Sequence, residues 1–122
     1  YAVRSLVPCG YGCPPDGPTQ KLLTQLGRHG NRPAHVHFFV SAPGYKHLTT
    51  QINLNGDAYL WDDFAFATRE ELIADPVKIT DDQLSQERKI NQPHTEVSFD
   101  FTLVDSAQTT DESRIKRARV ME

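Results

Sequence analysis

Two strand-like segments joined by a turn constrain the fold of this chain more than any other feature. Residues 34–42, AHVHFFVSA, are strongly apolar. Pro43 and Gly44 then give a turn signal, and LTTQINL follows before a second turn signal at Asn55 and Gly56. Apolar, β-branched and aromatic runs of this length favour strands, and two strands joined by a short turn pair antiparallel. We therefore expect an antiparallel pair of adjacent strands.

The rest of the chain predicts more short strands with short helices between them. YAVRSLVP and TEVSFDFTLV alternate apolar and polar residues, as strands do, and PVKIT also predicts a short strand. TQKLLTQLGRHG predicts a helix with its N-cap at Thr19 and its end at Gly27. TREELIAD predicts one or two helical turns, and TDDQLSQERK predicts a surface helix capped by Thr80. Asp62 and Asp63 predict a turn or a helix cap. The expected fold is mainly β, a β-sandwich with short connecting helices.

Length and charge limit the classes of partner. A chain of 122 residues is long enough for one modest domain, not for two. Its net charge of -3 and isoelectric point near 5.9 provide no basic surface for nucleic acid or anionic membranes. No segment approaches the roughly 20 apolar residues of a membrane span, and the first residues do not resemble a secretory signal. We expect a cytoplasmic protein with no membrane span and no nucleic-acid partner.

His35 and His37 form the first candidate site. Residues two apart in a strand project from the same face, so these imidazoles can hold one metal ion between them. Two ordinary strand histidines explain the pattern equally well. A metal site therefore requires further ligands nearby.

Tyr11 is a candidate for a third ligand. It lies between Gly10 and Gly12, which allow the backbone to pass close to another part of the chain and direct one side chain inward. A phenolate is a hard, anionic oxygen ligand that a trivalent metal favours. Together with two imidazoles it suits ferric iron better than zinc, whose structural sites usually contain thiolates. The alternative is a tyrosine that packs within a glycine-rich turn.

Four motifs carry a resemblance to a known family. GYGCPPDGPTQ, GRHGNRPAHVHFFVSAPG, LTTQIN and DDFAFAT occur in this order between Val3 and about Thr68. They closely resemble the intradiol ring-cleavage dioxygenases, above all those that act on catechol. The resemblance implies a β-sandwich catalytic domain around non-haem Fe(III), bound by two tyrosinates, two histidines and a hydroxide or water. The implied reaction is the cleavage of catechol by O2 to cis,cis-muconate, in the degradation of aromatic compounds.

The resemblance also implies which residues bind the iron. Tyr11 is similar to the equatorial tyrosinate, and His35 and His37 are similar to the two histidine ligands. The axial tyrosinate lies dozens of residues before the Gly-Tyr-Gly motif in the family, whereas only ten residues precede Tyr11 here. No residue of this chain takes that role. We therefore expect a C-terminal portion of the enzyme, without the helical N-terminal region through which the whole protein is expected to form a homodimer.

Four further residues match family positions around the iron. Arg32 is similar to a guanidinium that stabilises the electron-rich ring, and a surface arginine in a salt bridge is the alternative. Gln51 is similar to a group that hydrogen-bonds a ligand or an oxygen intermediate, and a polar residue of the strand ladder is the alternative. Phe64 and Ala65 are similar to pocket-wall positions where bulk decides which ring substituents fit. Without the resemblance they would be assigned to the core.

The expected organisation leaves other functions open. Residues 1–105 are expected to form the catalytic domain, with its N-terminal part absent, and residues 106–122 a polar tail. An inactive metal-binding fragment of the same enzyme is one alternative. Another is a zinc-stabilised structural module, which would use four side chains: Cys9, Cys13, His35 and His37. Among substrates, hydroxyquinol and protocatechuate compete with catechol. LTTQIN favours catechol, together with the absence of a recognisable carboxylate-binding addition, and a preference for chlorocatechols stays open.

Overall fold

The structure, a computed structural model, describes residues 1–80, 82–90 and 93–107. The expected polar tail lies outside the described residues from residue 108 onward. The elements, in chain order, are β1 (Tyr11–Gly12), α1 (Pro18–Gln25), β2 (Asn31–Arg32), β3 (His35–Val40), β4 (Leu48–Leu54), a 3-10 turn (Glu70–Leu72), β5 (Ile73–Ala74), β6 (Val77–Ile79), α2 (Asp82–Glu87) and β7 (His94–Glu96).

The strands form three small sheets, with the orders β1-β2, β3-β4-β5 and β6-β7. The pairs β1-β2, β3-β4 and β6-β7 are antiparallel, whereas β4 and β5 are parallel. His35 lies opposite Asn53, and Val40 lies opposite Leu48, so the predicted antiparallel pair is confirmed. Gly44 turns the chain between β3 and β4 with a φ of +81°, a conformation that favours glycine. The mainly β class with short connecting helices is confirmed.

Strand β4 is buried on both faces at its C-terminal end. Alternate residues of a strand face opposite sides, so Ile52 and Leu54 share one face while Gln51 and Asn53 share the other. The first pair joins the apolar core, which consists of Leu23, Ala34, Ile52, Leu54, Leu60 and Ala74. The second pair is polar and equally buried. Because buried polar groups are costly without hydrogen bonds, that face requires a polar network.

Helix α1 starts at a different residue from the one predicted. Gly17 is its N-cap and Pro18 its first residue, where the fixed φ of proline suits a helix start, so the N-cap predicted at Thr19 is wrong. The predicted end is confirmed, because Gly27 has a φ of +67°. Leu23 is the residue that α1 buries. In the described part of the chain, no helix has the length and apolar character needed to cross a bilayer.

Two predicted strands are absent or shortened. Residues 1–8 form no strand, and in TEVSFDFTLV only the start belongs to β7, while residues 97–104 form none. From Ser98 to Val104 the side chains still alternate between exposed and half-buried, although Val97 is exposed. Phe101 packs on Phe38 with a ring-centroid distance of 4.8 Å. Alternation with a period of two indicates only which side chains are covered. A strand also requires a neighbouring backbone to pair with, and the sequence pattern does not supply that information.

Candidate metal centre

Tyr11 is held in place by the close packing of β1 against β2. It lies opposite Arg32 in this antiparallel pair. A Cβ on Gly10 would lie 2.8 Å from Oδ2 of Asp57 and 2.9 Å from the carbonyl oxygen of Arg32, so any other residue would force these neighbours to shift. A Cβ on Gly12 would lie 2.9 Å from Oδ1 of Asn31. The prediction that the two glycines permit a close backbone approach is confirmed.

The beginning of β3 is fixed by Asp57. Its Oδ2 accepts a hydrogen bond of 3.0 Å from the N–H of Ala34, and its Oδ1 accepts one of 2.9 Å from the N–H of Tyr59. The carbonyl of Ala34 accepts a further bond of 2.9 Å from the N–H of Leu54. Both the N–H and the carbonyl of Ala34 are thus hydrogen-bonded. This fixes the position of His35, the next residue along the chain.

The three predicted metal ligands come together at one end of β3. The rings of His35 and His37 are 5.0 Å apart and nearly perpendicular, with an interplanar angle of 89°. The ring of Tyr11 lies 5.5 Å from that of His35. Tyr11 and His37 are exposed, whereas His35 is half-buried. The ring of His35 therefore lies beside that of Tyr11 and beside that of His37.

The hydrogen bonds of His35 define which nitrogen can bind a metal. Nδ1 lies 2.7 Å from the carbonyl oxygen of Pro33, which can only accept, so Nδ1 carries the proton. Nε2 lies 3.2 Å from Nη1 of Arg32, which can only donate, so Nε2 carries a lone pair. A backbone carbonyl on the far nitrogen is the usual support of a metal-binding histidine. A metal at Nε2 would use the lone pair that accepts from Arg32 here, so metal binding would replace this hydrogen bond. A donor set of one phenolate oxygen and imidazole nitrogens suits ferric iron.

The zinc-module alternative finds no geometric support. Among residues 1–80, 82–90 and 93–107, no three or more side chains of His, Cys, Asp and Glu are grouped so that they could hold a metal ion. Cys9 and Cys13 are both free thiols. The two cysteines and the two histidines therefore do not form the four-ligand cluster that a structural zinc site requires.

Arg32 is the centre of a buried polar network beside these rings. Its guanidinium donates to Asp63 through Nε, at 3.1 Å, and through Nη2, also at 3.1 Å. Nη2 also donates to Oε1 of Gln51 at 3.0 Å, while Nη1 faces His35. Arg32 is only 9% exposed. The alternative of a surface salt bridge is therefore wrong for the described structure, because this ion pair is buried.

The charges of this pair are stabilised in the folded protein. Burial opposes the charge of Arg32, but hydrogen bonds to Asp63 and Tyr11 outweigh it and raise the pKa of the guanidinium above its ordinary value. Burial likewise opposes the charge of Asp63. Its hydrogen bonds from Arg32 and from the N–H groups of Ala65 and Ala67 nevertheless lower its pKa below the usual 3.8. Both groups are ionised at neutral pH.

Arg32 also sets the orientation of two buried amides. Because a guanidinium only donates, Gln51 must present Oε1 to it, and the Nε2 of Gln51 then donates to Oδ1 of Asn53 at 3.1 Å. Asn53 is fully buried, and its Nδ2 has no hydrogen-bond partner within the described part of the chain. The hydrogen bonds therefore run in one direction, from Arg32 through Gln51 to Asn53.

The predicted pocket-wall residues follow Asp63 directly. The N–H of Phe64 donates to the carbonyl of Asn31 at 3.2 Å, which attaches this segment to β2. Ala65 is exposed and Phe64 half-buried. The segment thus lies beside the strand that carries Arg32. The role of Phe64 and Ala65 as a pocket wall stays a prediction.

The sequence reasoning missed three residues that support the site. Asn53 lies two positions after Gln51 in a predicted strand, so strand periodicity could have placed it on the same face. Asp63 was predicted to form a turn or a cap, and its bonds to the N–H groups of Ala65 and Ala67 confirm this. Its ion pair with Arg32 joins residues 31 positions apart, and no local pattern indicates it. The same is true of the bonds from Asp57 to β3.

The chain is similar to known dioxygenases. A family model described as Dioxygenase matches residues 1–105. The chain is 52% identical over 120 residues to the catechol 1,2-dioxygenase of Acinetobacter baylyi, covering 98% of this chain and 39% of that protein. It is 71% identical over 73 residues to catechol 1,2-dioxygenase 2 of Acinetobacter lwoffii, covering 60% of this chain and 26% of that protein.

A solved structure gives the same result. The crystal structure of wild-type Acinetobacter radioresistens catechol 1,2-dioxygenase superposes with a TM-score of 0.82 at 54% identity, covering 93% of this chain and 37% of that one. The chain thus spans about two fifths of the length of the relatives that it matches along nearly its whole extent. It belongs to the dioxygenase family, among the intradiol ring-cleavage enzymes that its motifs resemble, and corresponds to the C-terminal portion of those relatives.

Proposed function

We propose that the protein cleaves the ring of catechol with O2 between its two hydroxyl-bearing carbons and releases cis,cis-muconate. The observation that supports this proposal is that the ring of His35 lies against those of Tyr11 and His37 and beside the buried guanidinium of Arg32. The names of the relatives, which are catechol 1,2-dioxygenases, support catechol as the substrate. Non-haem Fe(III) is the proposed cofactor.

Iron and the protein contribute different parts of the chemistry. When bound, ferric iron supplies a Lewis acid that binds the deprotonated diol and makes the otherwise spin-forbidden reaction with O2 accessible. Tyr11 contributes an anionic oxygen ligand, and His35 and His37 contribute neutral nitrogen ligands. The second tyrosinate that the resemblance implies is expected from a part of the protein outside this chain. His35 is held for its role by the carbonyl of Pro33.

Arg32 and Gln51 are proposed to act on the substrate. The guanidinium lies next to Nε2 of His35, so its positive charge is close to the place where negative charge develops on the bound ring. Gln51 donates one Nε2 hydrogen to Asn53, and a second hydrogen on the same nitrogen is available to an oxygen atom of the substrate or of O2. Because Arg32 fixes the amide orientation, Gln51 meets that oxygen as a donor.

The shape of the substrate pocket is proposed to depend on Phe64 and Ala65. Ala65 is small and exposed, so a larger side chain at this position has space to extend. Phe64 offers an apolar ring that suits an aromatic substrate. Exchanges at these two positions are therefore expected to change which substituted catechols are accepted.

The family resemblance supports three further proposals. Residues 1–105, which the family model matches, are proposed to act as the catalytic unit, and 106–122 as a polar tail. The whole protein is proposed to be a homodimer that forms through a helical region outside this chain, and to reside in the cytoplasm. Sedimentation of the complete protein as a monomer would contradict the dimer.

The proposed function is tested by the visible absorption of the protein loaded with ferric iron, with and without catechol, in the absence of O2. A phenolate bound to Fe(III) gives a charge-transfer band, so a coloured protein whose band shifts with catechol is expected. Tyr11→Phe is expected to weaken and shift the band. Tyr45→Phe is the matched control, because Tyr45 forms an isolated β-bridge with Asp105 at a distance from His35 and His37. This substitution should leave the band unchanged.

Two results would contradict the proposal in different ways. A colourless protein that retains zinc and does not respond to catechol would remove the iron site. A coloured protein that binds catechol but forms no muconate after O2 is admitted would support the alternative of an inactive metal-binding fragment.

A further inference from the structure

We infer that Asp63 is a positioning residue: its carboxylate fixes the plane of the Arg32 guanidinium against the metal site. This inference rests on the proposed function, because it concerns the reaction that Arg32 is proposed to assist. Asp63 does not itself contact Tyr11, His35 or His37 through any hydrogen bond or ion pair recorded for the described residues.

The contact between the two residues is made at two points. Asp63 accepts from Nε and from Nη2 of Arg32 at 3.1 Å each, so one whole edge of the planar guanidinium is fixed. The remaining nitrogen, Nη1, is thereby directed at Nε2 of His35, 3.2 Å away. Without this contact only the single hydrogen bonds to Gln51 and His35 remain to orient the guanidinium. The two-point contact therefore defines where the positive charge lies.

The carboxylate is itself fixed by backbone hydrogen bonds. Oδ1 accepts from the N–H of Ala65 at 3.0 Å, and Oδ2 accepts from the N–H of Ala67 at 3.2 Å. Oδ1 thus accepts from one backbone group and from Nε of Arg32. Oδ2 accepts from one backbone group, from Nη2 and, at 3.4 Å, also from Nε. The Asp63 side chain is only 1% exposed, so water has no access to replace any of these partners.

Four donors around one side chain require a group that only accepts. A carboxylate meets this condition, whereas the amide of an asparagine would direct an NH2 group at two of the donors. Asp63→Asn therefore preserves the size of the side chain and removes what holds Arg32. The neighbouring Asp62 provides the matched control, because its side chain is 73% exposed and pairs with His29 at 2.8 Å.

The experiment compares Asp63→Asn and Asp62→Asn in the complete, iron-loaded protein. Turnover of catechol is measured as O2 uptake, and the iron site as its visible band. For Asp63→Asn we expect kcat to fall by roughly 10- to 100-fold, the range that misplacement of a catalytic group by about 1 Å produces. We expect KM to change much less and the band to stay in place, because the ligands are intact. Asp62→Asn should match the wild-type protein.

A double-mutant cycle separates positioning from a general loss of structure. In an Arg32→Gln background Asp63 has no guanidinium to position, so Asp63→Asn is expected to cause little further loss of kcat. Asp63→Glu keeps the charge with a displaced carboxylate, and its kcat should fall between those of the wild type and Asp63→Asn. Should Asp63→Asn fail to fold, a wild-type kcat in Asp63→Glu would overturn the inference.

Failure of the inference and failure of the proposed function give different results. A wild-type protein that consumes no O2 with catechol would overturn the proposed function, and the inference with it. An active wild type with an unchanged kcat in Asp63→Asn would overturn the inference alone. Equal losses of kcat from Asp63→Asn in the wild-type and Arg32→Gln backgrounds would also overturn it, because they would indicate a general structural role.

Discussion

The carboxylate of Asp63 and the guanidinium of Arg32 form a buried, two-point ion pair between residues 31 positions apart in the chain. Their side chains are 1% and 11% exposed, respectively. Removing one partner of such a pair leaves the other charge buried without compensation. The pair therefore links the stability of the fold to the placement of the positive charge beside the candidate metal ligands.

The stability provided by Asp63 is expected to depend on pH. Its pKa is lower in the folded protein than the ordinary 3.8, so its contribution is fully present above that value and is lost as pH falls through the folded pKa. Asp63→Asn should lower the free energy of unfolding by about 3 kcal/mol at neutral pH. The difference from wild type should shrink below pH 3.8 in urea denaturation. A difference that stays constant down to pH 2 would contradict this expectation.

Exchange of Arg32 for lysine should reduce both activity and stability. An ammonium group cannot reach Asp63, Gln51 and His35 at once, as the guanidinium does. We expect Arg32→Lys to lower kcat roughly 100-fold and the free energy of unfolding by about 1–3 kcal/mol. O2 uptake and urea denaturation measure the two effects. Arg69→Lys, whose guanidinium donates to backbone carbonyls of its own turn, is the control and should be close to wild type in both.

A methyl group at Gly10 should disturb the position of Tyr11. The added Cβ would lie 2.8 Å from Oδ2 of Asp57, so the backbone at Gly10 and the side chain of Asp57 must move apart. We expect Gly10→Ala to destabilise the fold by roughly 1–3 kcal/mol and to lower the iron content. In Gly17→Ala the atom nearest to the added Cβ lies 3.1 Å away, and the φ of −74° at Gly17 suits alanine as well. The loss of stability should therefore be smaller, and the iron content should not change. Iron analysis and thermal unfolding test both.

Iron should stabilise the protein only while both histidine ligands are present. A ligand that binds the folded state raises the free energy of unfolding, by about 2.7 kcal/mol at a hundredfold excess over Kd. Fe(III) should therefore raise the unfolding temperature of the wild type and of His47→Ala, in which an exposed histidine is removed. The rise should be much smaller in His37→Ala. An equal rise of the unfolding temperature in His37→Ala and His47→Ala would exclude His37 as a ligand.

The parts of the fold that local pattern controls could be predicted. β4 begins and ends where LTTQINL does, and the face shared by His35 and His37 follows from strand periodicity alone. The N-terminal segment and residues 97–104 could not be predicted, because alternation does not identify a backbone partner. The contacts of Asp63 and Asp57 could not be predicted either, for a related reason. Each carboxylate bonds to groups more than 20 residues away, and such distances leave no periodic signal in the sequence.

Asp57 gives two candidate ligands a common mechanical support. Its carboxylate holds Ala34, next to His35, and the same Oδ2 faces the gap that Gly10 leaves, next to Tyr11. A shift of the Asp57 carboxylate would therefore affect the backbone beside both candidate ligands at once, so the two ends of the site share one anchor in the chain.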